Sequence, residues 1–163
     1  GKLTFNLKES DAVVICRNVV ETVEKVKQTQ AEVRFVTTLE SLPLVTDDSR
    51  LQQLLINLLI NATKFTTEGV ITLEVEKESD TVALFSVTDT GCGIPLEKQK
   101  QIFNRFEKLN EGAQGTGLGL SICQLIIEQV GGRIWIDHEY TEGARFMFTH
   151  PIIPVVNRKE NTQ

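Results

Sequence analysis

The sequence predicts an α+β fold, a two-layer sandwich in which one mixed, mostly antiparallel sheet carries helices on one face. Three observations predict this class. The chain has 163 residues, 40% of them hydrophobic and 24% charged, which is typical of one globular domain. Segments that alternate like strands and segments with helical periodicity follow one another irregularly. No heptad pattern persists, and no apolar run approaches the roughly 18 residues that a membrane span needs.

The first half of the chain is predicted to contain two strands, one helix and a connector. In chain order they are a strand over 2–8, a helix from a cap at Ser10 or Asp11 to about Gln28, a strand over 33–38 and a connector around Pro43.

The second half begins with the clearest helix of the chain, about 49–65, whose leucines fall on one stripe. The elements predicted after it are a hairpin over 70–76 and 82–89, a glycine-rich turn over 89–95, a short helix over 96–103, a loop over 104–116, a buried helix over 117–130 and a strand pair over 133–137 and 144–150.

Charge and cysteine usage narrow the class of function. Lys and Arg total 17 against 22 Asp and Glu, for a net charge of −5, which argues against nucleic acid as a partner. Cys16, Cys92 and Cys123 are odd in number and form no CxxC pair, and no secretory signal opens the chain. We therefore expect a domain of the reducing cytoplasm.

Three polar residues share one side of the helix over 49–65. Asn57, Asn61 and Lys64 lie within roughly a 60° arc at about 100° per residue. An amide oxygen can bind Mg²⁺, and a lysine can bind phosphate. Taken alone, the pattern favours the simpler interpretation of a polar edge that bonds to neighbouring loops.

Two glycine-rich segments are also candidates for a site. Asp89 ends a strand before Gly91 and Gly93, where a carboxylate can accept from an adenine amine, although taken alone the motif favours a common Asx-turn. Residues 115–121, GTGLGLS, enter a helix, so their backbone N–H groups can face a phosphate. The segment lacks the lysine of a P-loop, and by itself it is also consistent with a flexible loop.

Together, the order and spacing of these motifs resemble the catalytic and ATP-binding domain of bacterial sensor histidine kinases, over about 11–151. The matching segments are RLQQLLINLLINATKFT (50–66) for the asparagine box, DTGCGIP (89–95) for the first glycine box, IFNRFEK (102–108) for the phenylalanine box, GTGLGLSI (115–122) for the second glycine box and GGRIWI (131–136) for the following strand.

The resemblance implies a Bergerat fold, ATP and Mg²⁺ as cofactors, and a role for each matching residue. Asn61 is implied as the Mg²⁺ ligand, Asn57 as a contact to metal or phosphate, and Lys64 and Lys108 as phosphate-binding groups. A mobile ATP lid is implied over 104–115. The further nucleotide-binding residues implied are Phe65, Asp89, Gly91, Gly93, Ile94, Phe106, Gly115, Thr116, Gly117, Leu118 and Gly119.

Asn57 indicates the branch of this superfamily. Hydrolytic branches resemble the chain here but place a water-activating Glu four positions before the metal-binding Asn, and an amide cannot take a proton at neutral pH. The resemblance therefore implies phosphoryl transfer to a histidine. An ATPase of the topoisomerase or chaperone branch, or a nucleotide-sensing module without catalysis, remain the alternatives.

The acceptor histidine of the family is expected outside this chain. The sequence contains only His138 and His150, interpreted as a turn residue and a structural residue at a strand end. The partners implied are a dimerisation and phosphoacceptor hairpin of the same parent protein, which would be a homodimer, and a response-regulator receiver domain. Residues 1–156 are assigned to the catalytic domain, with 1–8 as the end of a linker and 157–163 as a polar tail. Whether the parent is anchored in the inner membrane stays open.

Overall fold

A computed structural model describes residues 4–95 and 116–153. The elements in these ranges, in chain order, are β1 (Lys8–Asp11), α1 (Ala12–Val26), β2 (Glu32–Val36), β3 (Pro43–Thr46), α2 (Asp48–Phe65), β4 (Val70–Ser79), β5 (Val82–Asp89), α3 (Thr116–Val130), β6 (Ile134–Ile136) and β7 (Arg145–Pro151).

Five of the strands form one mixed sheet in the order β2-β4-β5-β7-β6. Only β2 and β4 pair in parallel, and the other neighbours are antiparallel. β1 and β3 form a separate antiparallel pair. At the centre of the large sheet Phe85 lies opposite Phe148, and their rings stack at 4.5 Å between centroids.

All three helices cover the same face of this sheet. Alternate residues of the strands, such as Ile71, Leu73 and Val75 in β4, are buried against them. The leucines of α2 form the opposing layer, and α2 contacts both α1 and α3. The predicted α+β sandwich is therefore confirmed. None of the described helices combines the length and the hydropathy needed to cross a bilayer.

The start of α2 is defined by Asp47, its N-cap. The Asp47 carboxylate accepts from the backbone N–H of Arg50 at 3.0 Å and from that of Asn6 at 2.6 Å. Burial alone would raise the pKa of Asp47, but these backbone donors and the Arg50 charge outweigh it and lower the pKa. The cap thus satisfies helix donors and orders the chain that precedes β1.

Two predictions about the first half were wrong. Of the strand expected over 2–8, the described residues 4–7 are not in a strand, and of the alternating apolar residues there Phe5 is partly buried while Leu7 is 57% exposed. The strand is Lys8–Asp11, because its partner is β3, and β3 contains Pro43, which was assigned to a connector. A proline fits there because it is the first residue of a strand in a two-stranded pair.

Several predictions lie outside the described residues. These are the short helix over 96–103, the lid over 104–115 and the polar tail over 157–163. The domain bounds, 1–156, likewise stay a prediction.

Candidate functional site

A narrow pocket lies between the second half of α2, the end of β5 and the start of β7. Its walls are mostly apolar, and it is lined by Asn61, Ala62, Phe65, Asp89, Gly93, Ile94, Leu120, Ala144 and Phe146. The cavity between these side chains has a volume of about 10 Å³, room for about one water molecule. A flat ring can therefore enter only when side chains of the wall move.

Asp89 is the acidic group of this pocket and is only 3% exposed. Its Oδ1 accepts from the backbone N–H of Gly91 at 2.9 Å and of Ala144 at 3.1 Å. No hydrogen bond of ordinary geometry joins its Oδ2 to a described residue, although the Thr66 hydroxyl lies near the carboxyl. One oxygen thus orients the carboxylate, while the other keeps its capacity to accept.

Burial raises the pKa of Asp89, although the N–H donors of Gly91 and Ala144 and the hydroxyl of Thr66 act in the opposite direction. The Thr66 hydroxyl lies near enough to the carboxyl to favour its ionised form. Even so, its oxygen is fully shielded from solvent, and in residues 4–95 and 116–153 it is the one side-chain polar atom so shielded that makes no hydrogen bond of ordinary geometry. Buried polar groups are normally paired, so this end of α2 has unused hydrogen-bonding capacity.

The turn after Asp89 requires its glycines. A Cβ on Gly91 would stand 2.1 Å from the carbonyl oxygen of Phe65, and Gly93 has a φ of +75°. The N–H of Cys92 donates to the same Phe65 oxygen at 3.2 Å. The turn is therefore pressed against the end of α2, which places Ile94 beside Phe65 in the pocket wall.

Asn61 and Asn57 differ in their surroundings. Asn61 is buried at 7% exposure, lines the pocket and makes no hydrogen bond to a described residue. Asn57 is half-buried and lies near the thiol of Cys123 on α3, where burial raises the thiol pKa to about 12 although Asn57 acts in the opposite direction. A buried amide with unused acceptor capacity fits a hard cation such as Mg²⁺ at Asn61.

Lys64 lies one turn beyond Asn61 on α2 but outside the narrow pocket. It is exposed and borders an open groove of about 650 Å³ between the ends of α1 and α2, with Ile60 and Thr63 beside it. Asn57, Asn61 and Lys64 therefore lie on α2 as predicted from the sequence, but each has different surroundings.

The second glycine-rich segment is described only in part. α3 begins at Thr116, so the backbone N–H groups of its first turn belong to residues 116–119 and have no partner inside the helix. Gly115, Phe106 and Lys108 lie outside the described residues. Their roles stay predictions.

The pocket also contains residues that the motifs did not single out. Ala144 and Phe146, at the start of β7, and Leu120, on α3, complete the wall. The strand alternation over 144–150 could have indicated Phe146 as inward-facing, but no sequence signal relates it to Asp89, because the contact depends on β5 and β7 being neighbours.

The two histidines are located as predicted. His138 is exposed in the turn after β6. His150 is 2% exposed in β7, where its Nδ1 donates to the carbonyl oxygen of Pro151 at 2.8 Å. Its Nε2 then accepts from the Thr46 hydroxyl at 3.0 Å. Burial lowers the pKa of His150, against the effect of the Pro151 carbonyl. His150 is thus a structural residue.

Comparison with known proteins identifies the class of this fold and site. A family model described as histidine kinase-, DNA gyrase B-, and HSP90-like ATPase matches residues 46–154, and the chain belongs to this family. The motif resemblance is confirmed: the chain is the ATP-binding catalytic domain of a sensor histidine kinase.

Particular relatives agree with this assignment. The chain is similar to the adaptive-response sensory kinase SasA of Gloeothece citriformis, 42% identical over 68% of this chain and 29% of the relative. It is also similar to the SasA of Thermosynechococcus vestitus, 37% identical over 93% of this chain and 41% of the relative. The chain therefore spans about a third of the length of these curated relatives.

Solved structures show the same likeness. The catalytic domain of histidine kinase ThkA has a TM-score of 0.80 and 34% identity, over 92% of this chain and 100% of that one. ThkA in complex with the response regulator TrrA gives a TM-score of 0.75 and 34% identity, over 91% of this chain and 42% of that one. ShkA in complex with AMPPNP gives 0.81 and 28%, over 93% of this chain and 32% of that one.

Proposed function

We propose that this domain binds ATP with adenine against Asp89 and delivers the γ-phosphoryl group to a histidine on a separate hairpin of the same, homodimeric parent protein. The observation that carries the proposal is the Asp89 carboxylate. Its Oδ1 is held by two backbone donors, and its Oδ2 accepts no hydrogen bond of ordinary geometry from the described residues. An acceptor oriented in this way inside an apolar pocket suits the exocyclic amine of adenine.

The walls of the pocket suit the flat faces of the base. Phe65, Ile94, Leu120 and Phe146 offer apolar surface, and Gly93 lets the ring approach the backbone. Because the cavity is nearly closed, adenine entry requires movement of these side chains. The likeness to ShkA, which is known in complex with AMPPNP, supports the same pocket for the base.

The phosphates are proposed to lie between α2 and the first turn of α3. There Asn61 would hold Mg²⁺, which supplies charge neutralisation of the β- and γ-phosphates, and Lys64 would add a positive charge. The N–H groups of residues 116–119 would donate to phosphate oxygens at a helix N-terminus. We propose a phosphate contact for Lys108 on the family motif alone.

Asn57 favours transfer over hydrolysis. Its amide cannot accept a proton from water, so this position supplies no base. A neutral imidazole needs no such base near pH 7. The bond between the γ-phosphorus and the β-phosphate oxygen breaks as the bond to the imidazole nitrogen forms, and ADP leaves with the electron pair.

The chain's own histidines are not suited to accept the phosphoryl group. His150 is buried and paired on both ring nitrogens. His138 lies in a turn of the domain that must donate. We propose instead the hairpin of the parent, followed by transfer to a receiver domain, as the complex of ThkA with TrrA suggests. Free cysteines at 16, 92 and 123 favour a cytoplasmic location.

The test uses γ-labelled ATP with the chain alone and with the parent's hairpin added in trans. Label should appear on the hairpin histidine only, and Asn61→Ala should abolish it. Asn18→Ala, on the exposed side of α1, is the matched control and should label normally. Acid-labile phosphate on His138 or His150 of the isolated chain, or full labelling by Asn61→Ala, would contradict the proposal.

A further inference from the structure

The turn segment between β6 and β7 packs directly against Asp89. The N–H of Asp89 donates to the Ala144 carbonyl at 2.9 Å, and the Ala144 N–H returns a bond to Asp89 Oδ1 at 3.1 Å. The Tyr140 hydroxyl donates to the Asp89 carbonyl oxygen at 3.0 Å. The turn therefore contacts the backbone of Asp89 on both sides and its carboxylate.

The approach is close enough that the turn and Asp89 must move together. A Cβ added at Gly143 would stand 1.9 Å from the Asp89 carbonyl oxygen and 2.9 Å from its Oδ1. Gly143 and Ala144 are both buried. A displacement of the turn is consequently transmitted to the carboxylate rather than absorbed by a gap.

Tyr140 is itself held in place by Arg145. The guanidinium of Arg145 lies over the Tyr140 ring at 4.3 Å from its centroid. Arg145 in turn donates to the Thr88 hydroxyl at 3.1 Å and to Asp137 Oδ2 at 3.4 Å. The phenol is thus fixed between the open face of the sheet and the pocket.

The Tyr140 hydroxyl stays a donor at neutral pH. Burial and the charges of Glu142 and Asp89 raise its pKa, which the Arg145 charge only partly opposes. The hydroxyl therefore keeps the proton that it donates to the Asp89 carbonyl oxygen at neutral pH.

From these contacts we infer that Tyr140 is a positioning residue for adenine recognition. Its hydroxyl, with Arg145 stacked on its ring, orients Asp89 so that Oδ2 meets the exocyclic amine of the base. The inference rests on the proposed role of Asp89. Tyr140 lies outside every motif quoted above and outside the pocket lining, so it acts through Asp89 alone.

Tyr140→Phe removes the hydroxyl and keeps the ring beneath Arg145. Calorimetry is carried out with ATP and with purine riboside triphosphate, which lacks the 6-amino group. The comparison distinguishes a role of Tyr140 in positioning Asp89 from a role in the stability of the fold. The chain without substitutions, called the parent chain below, should bind ATP more tightly than the analogue. In Tyr140→Phe, ATP affinity should fall by about 3- to 10-fold, as for one lost hydrogen bond, with the analogue's affinity unchanged. The preference for ATP should shrink accordingly.

The matched control is Thr37→Val, which removes a hydroxyl that donates to the Val75 carbonyl at 2.6 Å, far from the pocket. It should keep the preference for ATP. If Tyr140→Phe is poorly folded, Arg145→Gln replaces it as the test. This variant removes the stacked cation and leaves the hydroxyl, and its preference for ATP over the analogue should fall by less than that of Tyr140→Phe.

The outcomes separate two failures. If the parent chain binds both nucleotides equally, the adenine role of Asp89 is wrong, and this inference falls with it. If the parent chain discriminates and Tyr140→Phe discriminates equally well, or weakens both nucleotides to the same degree, Tyr140 has only a structural role.

Discussion

A buried aspartate lies at each end of α2, and the two differ in their hydrogen bonds and in the direction of their pKa shifts. At the N-terminal end, Asp47 accepts two backbone N–H bonds and has a lowered pKa. At the C-terminal end, Asp89 lies beside the last turn, with one oxygen that accepts no hydrogen bond of ordinary geometry from the described residues and a raised pKa. The surroundings therefore stabilise the ionised form of Asp47 and destabilise the ionised form of Asp89.

Two buried threonines repeat the contrast. The Thr46 hydroxyl, just before the cap, donates to His150 Nε2 at 3.0 Å. The Thr66 hydroxyl, just after the helix, makes no hydrogen bond of ordinary geometry to a described residue and lies near the Asp89 carboxyl. Polar groups at the first end are satisfied within the fold, whereas those at the second end keep unused hydrogen-bonding capacity. We therefore expect the N-terminal end to contribute stability and the C-terminal end to contribute the proposed nucleotide binding.

The largest expected effect is on nucleotide binding, from Asp89→Asn. It keeps the size of the side chain but turns one acceptor into a donor, a buried mismatch of about 1–3 kcal/mol, or roughly 5- to 150-fold in ATP affinity. Thermal stability should hold or rise, because the folded chain no longer buries a charge. Calorimetry and thermal unfolding measure the two. Unchanged ATP affinity would show that Asp89 does not bind the base, and the proposed binding role of this end of α2 would be wrong.

Asp47→Ala should show the reverse pattern. Loss of the N-cap costs roughly 1–2 kcal/mol of unfolding free energy. ATP affinity of the folded chain should stay the same, because the cap lies at the opposite end of α2. Urea unfolding combined with calorimetry checks both, with exposed Asp80→Ala as the matched control. A large loss of ATP affinity would mean that the two ends are coupled.

The next prediction concerns pH and His150. Because burial lowers its pKa in the folded chain below the 6.5 of the unfolded chain, the unfolded chain binds the proton more readily. This part of the stability is complete above pH 6.5 and is lost as the pH falls from 6.5 toward the folded pKa.

Urea midpoints between pH 8 and pH 5 should therefore decline in the parent chain and decline less in His150→Gln. His138→Gln, at an exposed histidine, should behave as the parent chain does. An equal decline in His150→Gln would assign the effect to other groups.

The smallest effects distinguish the two threonines. Thr46→Val leaves His150 Nε2 without its donor and should cost about 1 kcal/mol, whereas Thr66→Val removes a hydroxyl that makes no hydrogen bond of ordinary geometry and should cost less. Denaturant unfolding of both variants gives the comparison. A loss as large in Thr66→Val as in Thr46→Val would show that the Thr66 hydroxyl is satisfied in the folded chain.

Local patterns were sufficient for the elements that are long and strongly periodic. The stripe of leucines in α2 and the β4–β5 hairpin were predicted with nearly the bounds observed, and Asp11, the cap of α1, was one of the two residues predicted for it. The short strands were not, since β1 and β3 exist only because they pair with each other. Four residues contain too little periodicity to indicate a strand.

The sequence by itself determined the class of protein and the residues of its motifs, because helical spacing and glycine turns are local properties. Tertiary structure alone decided which of these residues meet. Asn61 and Asp89 share one pocket because the sheet order brings β5 and β7 beside α2, whereas Lys64 opens onto a separate groove. The contact of Tyr140 with Asp89 joins residues 51 positions apart. No local pattern encodes that distance, since it arises only when antiparallel strands come into register.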